Sequence, residues 1–130
     1  MTINDKGYPV KHFPMNTKRY CQTLNLKDNP ELIRTYREIH SEEKMWPEIL
    51  AGIRQVGILE MEIYLLGTRL FMIVEVPEDF DWDKQMAILA RLPRQEEWEA
   101  FTSRFQQALS TYSSAEKWQL MERIFHLYDK

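Results

Sequence analysis

Ile58-Leu59-Glu60-Met61-Glu62-Ile63-Tyr64-Leu65-Leu66-Gly67-Thr68-Arg69-Leu70-Phe71-Met72-Ile73-Val74-Glu75-Val76 is the stretch that decides the fold. Residues 58–66 and 69–76 read as two strands, and Gly67-Thr68 supplies the short turn of a hairpin. In the first strand Glu60, Glu62 and Tyr64 share one face, opposite Met61, Ile63 and Leu65. The second runs apolar at consecutive positions from Leu70 to Val74, which predicts burial on both faces. One face can pack on helices; the other needs a second sheet, and a partner subunit is its simplest source.

Working outward from the hairpin, residues 19–27 form a first strand by β-propensity and alternation. Asn29-Pro30-Glu31 is a helix start: a cap, a proline at the first helical position, then an acid. The helix carries Leu32, Ile33, Tyr36, Ile39 and His40 on one broad face and should falter before Pro47. Pro47 opens a second segment with Ile49, Leu50, Ile53 and Val56 inward, ending at Gly57. Beyond the hairpin Pro77 stops the strand. Residues 79–91 and 94–110 read as helices separated by Pro93, bearing Trp82, Met86, Ile88, Leu89, Trp98, Phe101, Phe105 and Leu109. Ser110 to Ala115 is a polar loop, and residues 117–128 form a last strand.

The order is β-α-β-β-α-β. It predicts an α+β protein of ferredoxin-like, split βαβ type: a four-stranded antiparallel sheet with helices on one face. Residues 1–17, with Gly7, Pro9 and Pro14 and no sustained periodicity, form an N-terminal extension, and Met15 is a second candidate start. Residues 18–130 make a single domain.

Composition narrows the functional classes. A net charge of −3 lacks the basic face that nucleic-acid binding requires. No apolar run approaches the ~20 residues of a membrane span, and no secretory start is visible, so the expected location is cytoplasmic. The single cysteine, Cys21, excludes an internal disulfide and a multi-cysteine zinc site, and its strand position suits a buried thiol.

Chemistry concentrates in residues 36–48, Tyr-Arg-Glu-Ile-His-Ser-Glu-Glu-Lys-Met-Trp-Pro-Glu. Positions i and i+4 share a helix face, so Tyr36 and His40 point the same way, and the break at Trp46-Pro47 leaves room for a ligand. Imidazole transfers protons near neutral pH, and a phenol and an indole suit a sugar ring. Each of these residues, taken alone, also has an ordinary packing role. Trp98, flanked by charge in Arg94-Gln95-Glu96-Glu97-Trp98-Glu99, is either a sugar platform or helix packing. His126, alternating with Ile124 and Tyr128, reads as structural, and His12 as exposed. The three histidines are too scattered for metal-ligand spacing, and there is no phosphate loop, serine elbow or paired-cysteine signature.

Over residues 18–128 the chain resembles the L-rhamnose mutarotase family, including relatives described as L-fucose mutarotases. The likeness rests on Arg19-Tyr20-Cys21, Tyr36-x-x-x-His40, Trp46-Pro47-Glu48, Glu62-Ile63-Tyr64-Leu65, Arg69-Leu70-Phe71-Met72, Trp98 and Met121-Glu122-Arg123-Ile124-Phe125. It implies a homodimeric protein of the dimeric α/β barrel type that interconverts α and β anomers of a 6-deoxyhexose without a cofactor. It further implies His40 as proton donor and Tyr36 as a sugar contact. Of the family's adjacent tryptophan pair only the second is present, as Trp98. Glu97 stands in place of the first, and Met61 in place of a sugar-contacting tyrosine. These departures lean away from rhamnose and towards L-fucose or a related 6-deoxy sugar.

On this reading His40 protonates the ring oxygen, Tyr36 orients the sugar, and Trp46 and Trp98 line its apolar face. Glu62, Glu97 and a bound water are the candidates for the base. Two other classes fit the same fold: a cofactor-free monooxygenase or cyclase acting on an aromatic substrate, and a small-ligand-binding module in which His40 is structural.

Overall fold

The Asn29 side-chain oxygen accepts from the backbone of Glu31 at 2.9 Å and of Leu32 at 3.1 Å, so the cap read from Asn29-Pro30-Glu31 starts the first helix. The computed structural model describes residues 6–107 and 114–128. In chain order its elements are β1 (Thr17–Asn25), α1 (Pro30–Ile39), α2 (Pro47–Gln55), β2 (Glu60–Leu66), β3 (Arg69–Pro77), α3 (Trp82–Leu89), α4 (Gln95–Thr102), α5 (Ser114–Lys117) and β4 (Gln119–Leu120). The strands form one antiparallel sheet in the order β2-β3-β1-β4, the ferredoxin-like arrangement.

Register decides which residues meet the helices. Tyr20 and Met61 both face Val74, Gln22 and Ile63 face Met72, and Leu24 and Leu65 face Leu70. Period-2 alternation puts all of these on one side of the sheet. That side packs on Tyr36, Ile39, Ile49, Met86, Leu89 and Trp98 in a single apolar core. The helix stripes are narrower than expected, because Leu50 and Ile88 are exposed rather than inward.

Glu60, Glu62, Tyr64, Phe71, Ile73 and Cys21 take the other side of the sheet. Phe71, Ile73 and Cys21 are half-buried there, so the thiol is less enclosed than its strand position suggested. Residues 6–16 run without helix or strand, and Tyr8 places its ring edge-on to Tyr64 at 5.8 Å.

The C-terminal half departs most from expectation. Helix α3 starts at Trp82 rather than residue 79, because Asp81 caps it by accepting from Lys84 N at 3.2 Å. Helix α4 ends at Thr102 instead of continuing to residue 110. Its last turn tightens: Phe105 N donates to Thr102 O and Gln106 N to Ser103 O. The chain then joins the sheet edge through Lys27 N to Phe105 O and Gln107 N to Asn25 O, each 2.9 Å. Backbone pairing with the end of β1 therefore outcompetes helix propagation.

Leu109, the expected helix end to residue 110 and the first part of the Ser110–Ala115 loop lie outside the described residues, while Ser114 and Ala115 belong to α5. The last strand is two residues long rather than spanning 117–128. It pairs only with Gln22 and Thr23, after which Met121 N makes a final bond to Cys21 O at 2.8 Å. Residues 121–128, including His126, leave the sheet and are exposed.

Candidate active site

The last turn of α1 brings Tyr36 and His40 together, with ring centroids 4.4 Å apart. Both line a cavity of about 70 Å³ between the inner sheet face and the helices. One water needs only ~10–15 Å³, so the space suits a small molecule. His40 is the C-cap residue of α1, and its Nδ1 lies 2.7 Å from the carbonyl oxygen of Tyr36. A carbonyl only accepts, so Nδ1 carries the hydrogen; in the neutral ring Nε2 keeps its lone pair. Burial lowers the proton affinity of His40 below the ordinary imidazole value, and the Tyr36 carbonyl only partly offsets this.

Burial, with a smaller contribution from the Glu99 charge, pushes the Tyr36 phenol up to about 12, while its bond to Gln106 works the other way. Its oxygen accepts from Gln106 Nε2 at 3.2 Å.

Trp98, on α4, is buried and meets the His40 ring edge-on at 5.4 Å. Trp46 stands behind it, at 5.1 Å from Trp98 and stacked on Phe101 at 5.5 Å. Arg94 covers Trp46, its guanidinium 4.1 Å from the ring centroid, and takes a left-handed backbone with φ of 65°. The same guanidinium binds Glu97 at 3.0 Å and Glu48 at 3.4 Å.

Of the residues singled out from the sequence, Tyr36, His40, Met61 and Trp98 therefore surround one cavity, and Trp46 supports Trp98 without lining it. Glu97 is turned outward to Arg94, which holds its carboxyl below the usual carboxylate range. Adjacent residues on a helix point about 100° apart, so an inward Trp98 turns Glu97 away. Glu62 lies on the far side of the sheet, accepting from the Tyr64 hydroxyl at 3.2 Å.

Sequence reasoning missed the polar side of the cavity. Gln95, Glu99, Thr102 and Gln106 all line it and all are buried. Glu99 pairs with the buried Lys117 at 2.9 Å and also accepts from Gln95 Nε2. Lys117 Nζ further reaches Glu99 O and Thr102 Oγ1, both at 3.0 Å, and Ser103 Oγ at 3.3 Å. Burial pulls the Lys117 ammonium down, and the Glu99 carboxylate opposes the shift. The spacing of four, three and four along 95, 99, 102 and 106 is a helical stripe, and it was the available signal. Among the described residues no three His, Cys, Asp or Glu side chains group as metal ligands, and no helix is long and apolar enough to cross a membrane.

Fold and site define a small ferredoxin-like protein whose pocket sets acid–base side chains against aromatic rings. The chain belongs to the L-rhamnose mutarotase family, whose model matches residues 19–127, and is thus a member of a family of carbohydrate isomerases. It is 42% identical over 113 residues to an L-fucose mutarotase of Xanthomonas campestris pv. campestris, covering 87% of this chain and 90% of that protein. An L-rhamnose mutarotase from Formosa agariphila superposes with a TM-score of 0.63 at 19% identity, covering 85% of this chain and 99% of the other. Tetracenomycin F2 cyclase from Streptomyces glaucescens gives 0.53 at 12% identity, covering 87% and 98%. These last two likenesses concern the fold alone.

Proposed function

We propose that this chain accelerates the interconversion of α and β anomers of a 6-deoxyhexose, with L-fucose preferred over L-rhamnose. The observation that carries the proposal is the placement of His40, with Nδ1 tied to the Tyr36 carbonyl, on a cavity walled by Trp98 and Tyr36. The 42% identity to an L-fucose mutarotase supports the choice of sugar.

Ring opening moves a proton from the anomeric hydroxyl to the ring oxygen, and both oxygens are bonded to the same carbon. In the proposed cycle the neutral His40 ring accepts the anomeric proton at Nε2. As the bond between the anomeric carbon and the ring oxygen breaks, the resulting imidazolium returns that proton to the ring oxygen. The open aldehyde then turns its other face and recloses by the reverse transfers. One nitrogen thus serves as base and then as acid, worth about 10²- to 10⁴-fold for general acid–base assistance. The chemistry is proton transfer throughout, so no cofactor enters it. Trp98 and Met61 would meet the apolar side of the sugar, including its methyl group, and Tyr36 its hydroxyls.

We further propose a cytoplasmic homodimer in which residues 1–17 are an extension to the catalytic domain 18–130. The apolar, half-exposed Phe71 and Ile73 and the exposed apolar residues after β4 support a second copy as the cover.

Saturation-transfer NMR on equilibrated L-fucose and L-rhamnose tests the activity directly. Faster anomer exchange with L-fucose than with L-rhamnose is expected. Binding of sugar with no faster exchange would identify a binding module instead, and binding of an aromatic polyketide-like substrate but no sugar would favour a cyclase or monooxygenase.

A further inference from the structure

We propose that Gln106 is a specificity-determining residue, whose buried amide hydrogen-bonds one hydroxyl of the bound pyranose. The inference rests on the sugar-binding reading of the cavity given above. Gln106 is only 2% exposed and lines the cavity. Its backbone is fixed by a bridge to Leu26 and by donation from its N–H to Ser103 O, so the side chain starts from a held position. Its Nε2 is committed to the Tyr36 oxygen at 3.2 Å, and its Oε1 is buried without a hydrogen-bond partner.

That orphan is costly. A buried polar atom left unpaired forfeits the hydrogen bonds it had to water, and native proteins rarely leave one without a reason. Exchanging the amide oxygen and nitrogen does not remove the problem. Tyr36 would then donate to the oxygen, and the nitrogen would be the unpaired atom. In either orientation one polar atom of the amide remains unmatched at the cavity wall.

A hydroxyl is the complementary group, because it both donates and accepts. The committed neighbours narrow the choice further. Glu99 is engaged by Lys117 and Gln95, and Nδ1 of His40 by the Tyr36 carbonyl. His40 Nε2 is reserved for the reacting oxygens, and Gln106 Oε1, next to the Tyr36 phenol, is buried with its valence unfilled. The pair would read the presence of one ring hydroxyl away from the reacting carbon, so its effect falls on sugar choice.

The test compares the native protein with Gln106→Leu on L-fucose and on its mono-deoxy analogues, by calorimetric binding and by anomer exchange. For the parent sugar, Gln106→Leu should lose about 10- to 100-fold in kcat/KM and in affinity, the range of a buried hydrogen bond whose partner is stranded. For one deoxy analogue the native protein should already show that loss, and the substitution should add little to it. In the sugar-free variant the orphaned amide atom is gone but the buried Tyr36 oxygen loses its donor, so the pattern across the analogues, and not the melting temperature, carries the decision. Equal loss on every analogue, or unchanged sugar preference, overturns the assignment while leaving mutarotation standing. Binding without exchange in the native protein would end mutarotation, and the affinity pattern would still decide Gln106. Absence of sugar binding would end both.

Discussion

His40 donates from Nδ1 to the carbonyl oxygen of Tyr36 at 2.7 Å, the residue one helical turn before it. The bond fixes which nitrogen is left for chemistry, and burial keeps that ring neutral at lower pH than a free imidazole. Exchange should therefore hold across neutral pH and fall only below the ordinary imidazole value of ~6.5. His40→Ala should lower it by about 10²- to 10⁴-fold with the fold intact. Undiminished NMR exchange in a folded His40→Ala protein rejects the role.

The same shift has a stability consequence. Between the lowered native pKa of His40 and ~6.5 the unfolded chain binds more protons, so stability rises with pH there. The contribution is complete above the unfolded value and is lost as pH falls towards the native one. Urea midpoints across the acid range should show a shallower dependence in His40→Ala than in the native protein. Identical slopes would mean the imidazole is not held neutral.

Tyr36 titrates with the opposite sign. Its native pKa of about 12 exceeds the ordinary 10, so the folded state holds its proton more tightly. The stabilisation is full below pH ~10 and is lost as pH rises towards 12, about 2–3 kcal/mol in all. Tyr36→Phe should remove this alkaline slope, which denaturant titrations of the two proteins over that range would read as a difference. The lowered Lys117 shifts stability the other way, but below its ordinary value of 10.5, and it is common to both proteins.

Lys117 and Glu99 hold each other at 2.9 Å in a nearly dry setting. Removing one partner strands the other, so Lys117→Met should destabilise by about 3–5 kcal/mol. Adding Glu99→Met should restore much of that, because a well-packed apolar pair replaces the ions. If the double substitution is no more stable than Lys117→Met by urea denaturation, the pair is not the reason for the cost.

Trp98 packs on both His40 and Trp46, so its removal mixes stability with function. Trp98→Ala should cost about 3–5 kcal/mol as a core cavity. Trp98→Phe keeps an aromatic face and should stay folded while KM for the sugar rises more than kcat falls, as expected for a surface that binds substrate and transition state alike. An unchanged KM in that variant would leave Trp98 with a packing role only.

The hairpin, the Asn29 cap, the prolines that open helices and the shared face of Tyr36 and His40 were legible because each is a local rule. The cavity's aromatic side was legible for the same reason. Its polar side was not. Lys117 reaches Glu99 across 18 positions and Gln106 reaches Tyr36 across 70, so neither partnership has a short-range signature. The end of α4 was misjudged because Thr102 and Ser103 turn their hydroxyls back onto the Trp98 and Glu99 carbonyls just where the sheet edge captures the backbone. The last strand is shorter than its alternation predicts: the apolar and polar residues continue to alternate after Trp118, but pairing with β1 ends after Met121 N meets Cys21 O, and alternation alone does not say whether a chain takes up an edge.

That unspent alternation carries the final prediction. Ile124 is 91% exposed, Phe125 74%, Leu127 72% and Tyr128 72%, on a segment without helix or strand that follows β4 directly. Free backbone edges and contiguous apolar side chains favour pairing with another chain. The sheet's outer side offers Phe71 and Ile73, half-covered, as the matching surface. Two copies exchanging this arm would bury both features at once. The native protein should sediment as a dimer at micromolar concentration, and deletion of residues 121–130 or the double change Ile124→Asp with Phe125→Asp should yield monomers with a lower melting temperature. A native protein that sediments as a monomer, or a truncated one that stays dimeric, removes the arm from the interface.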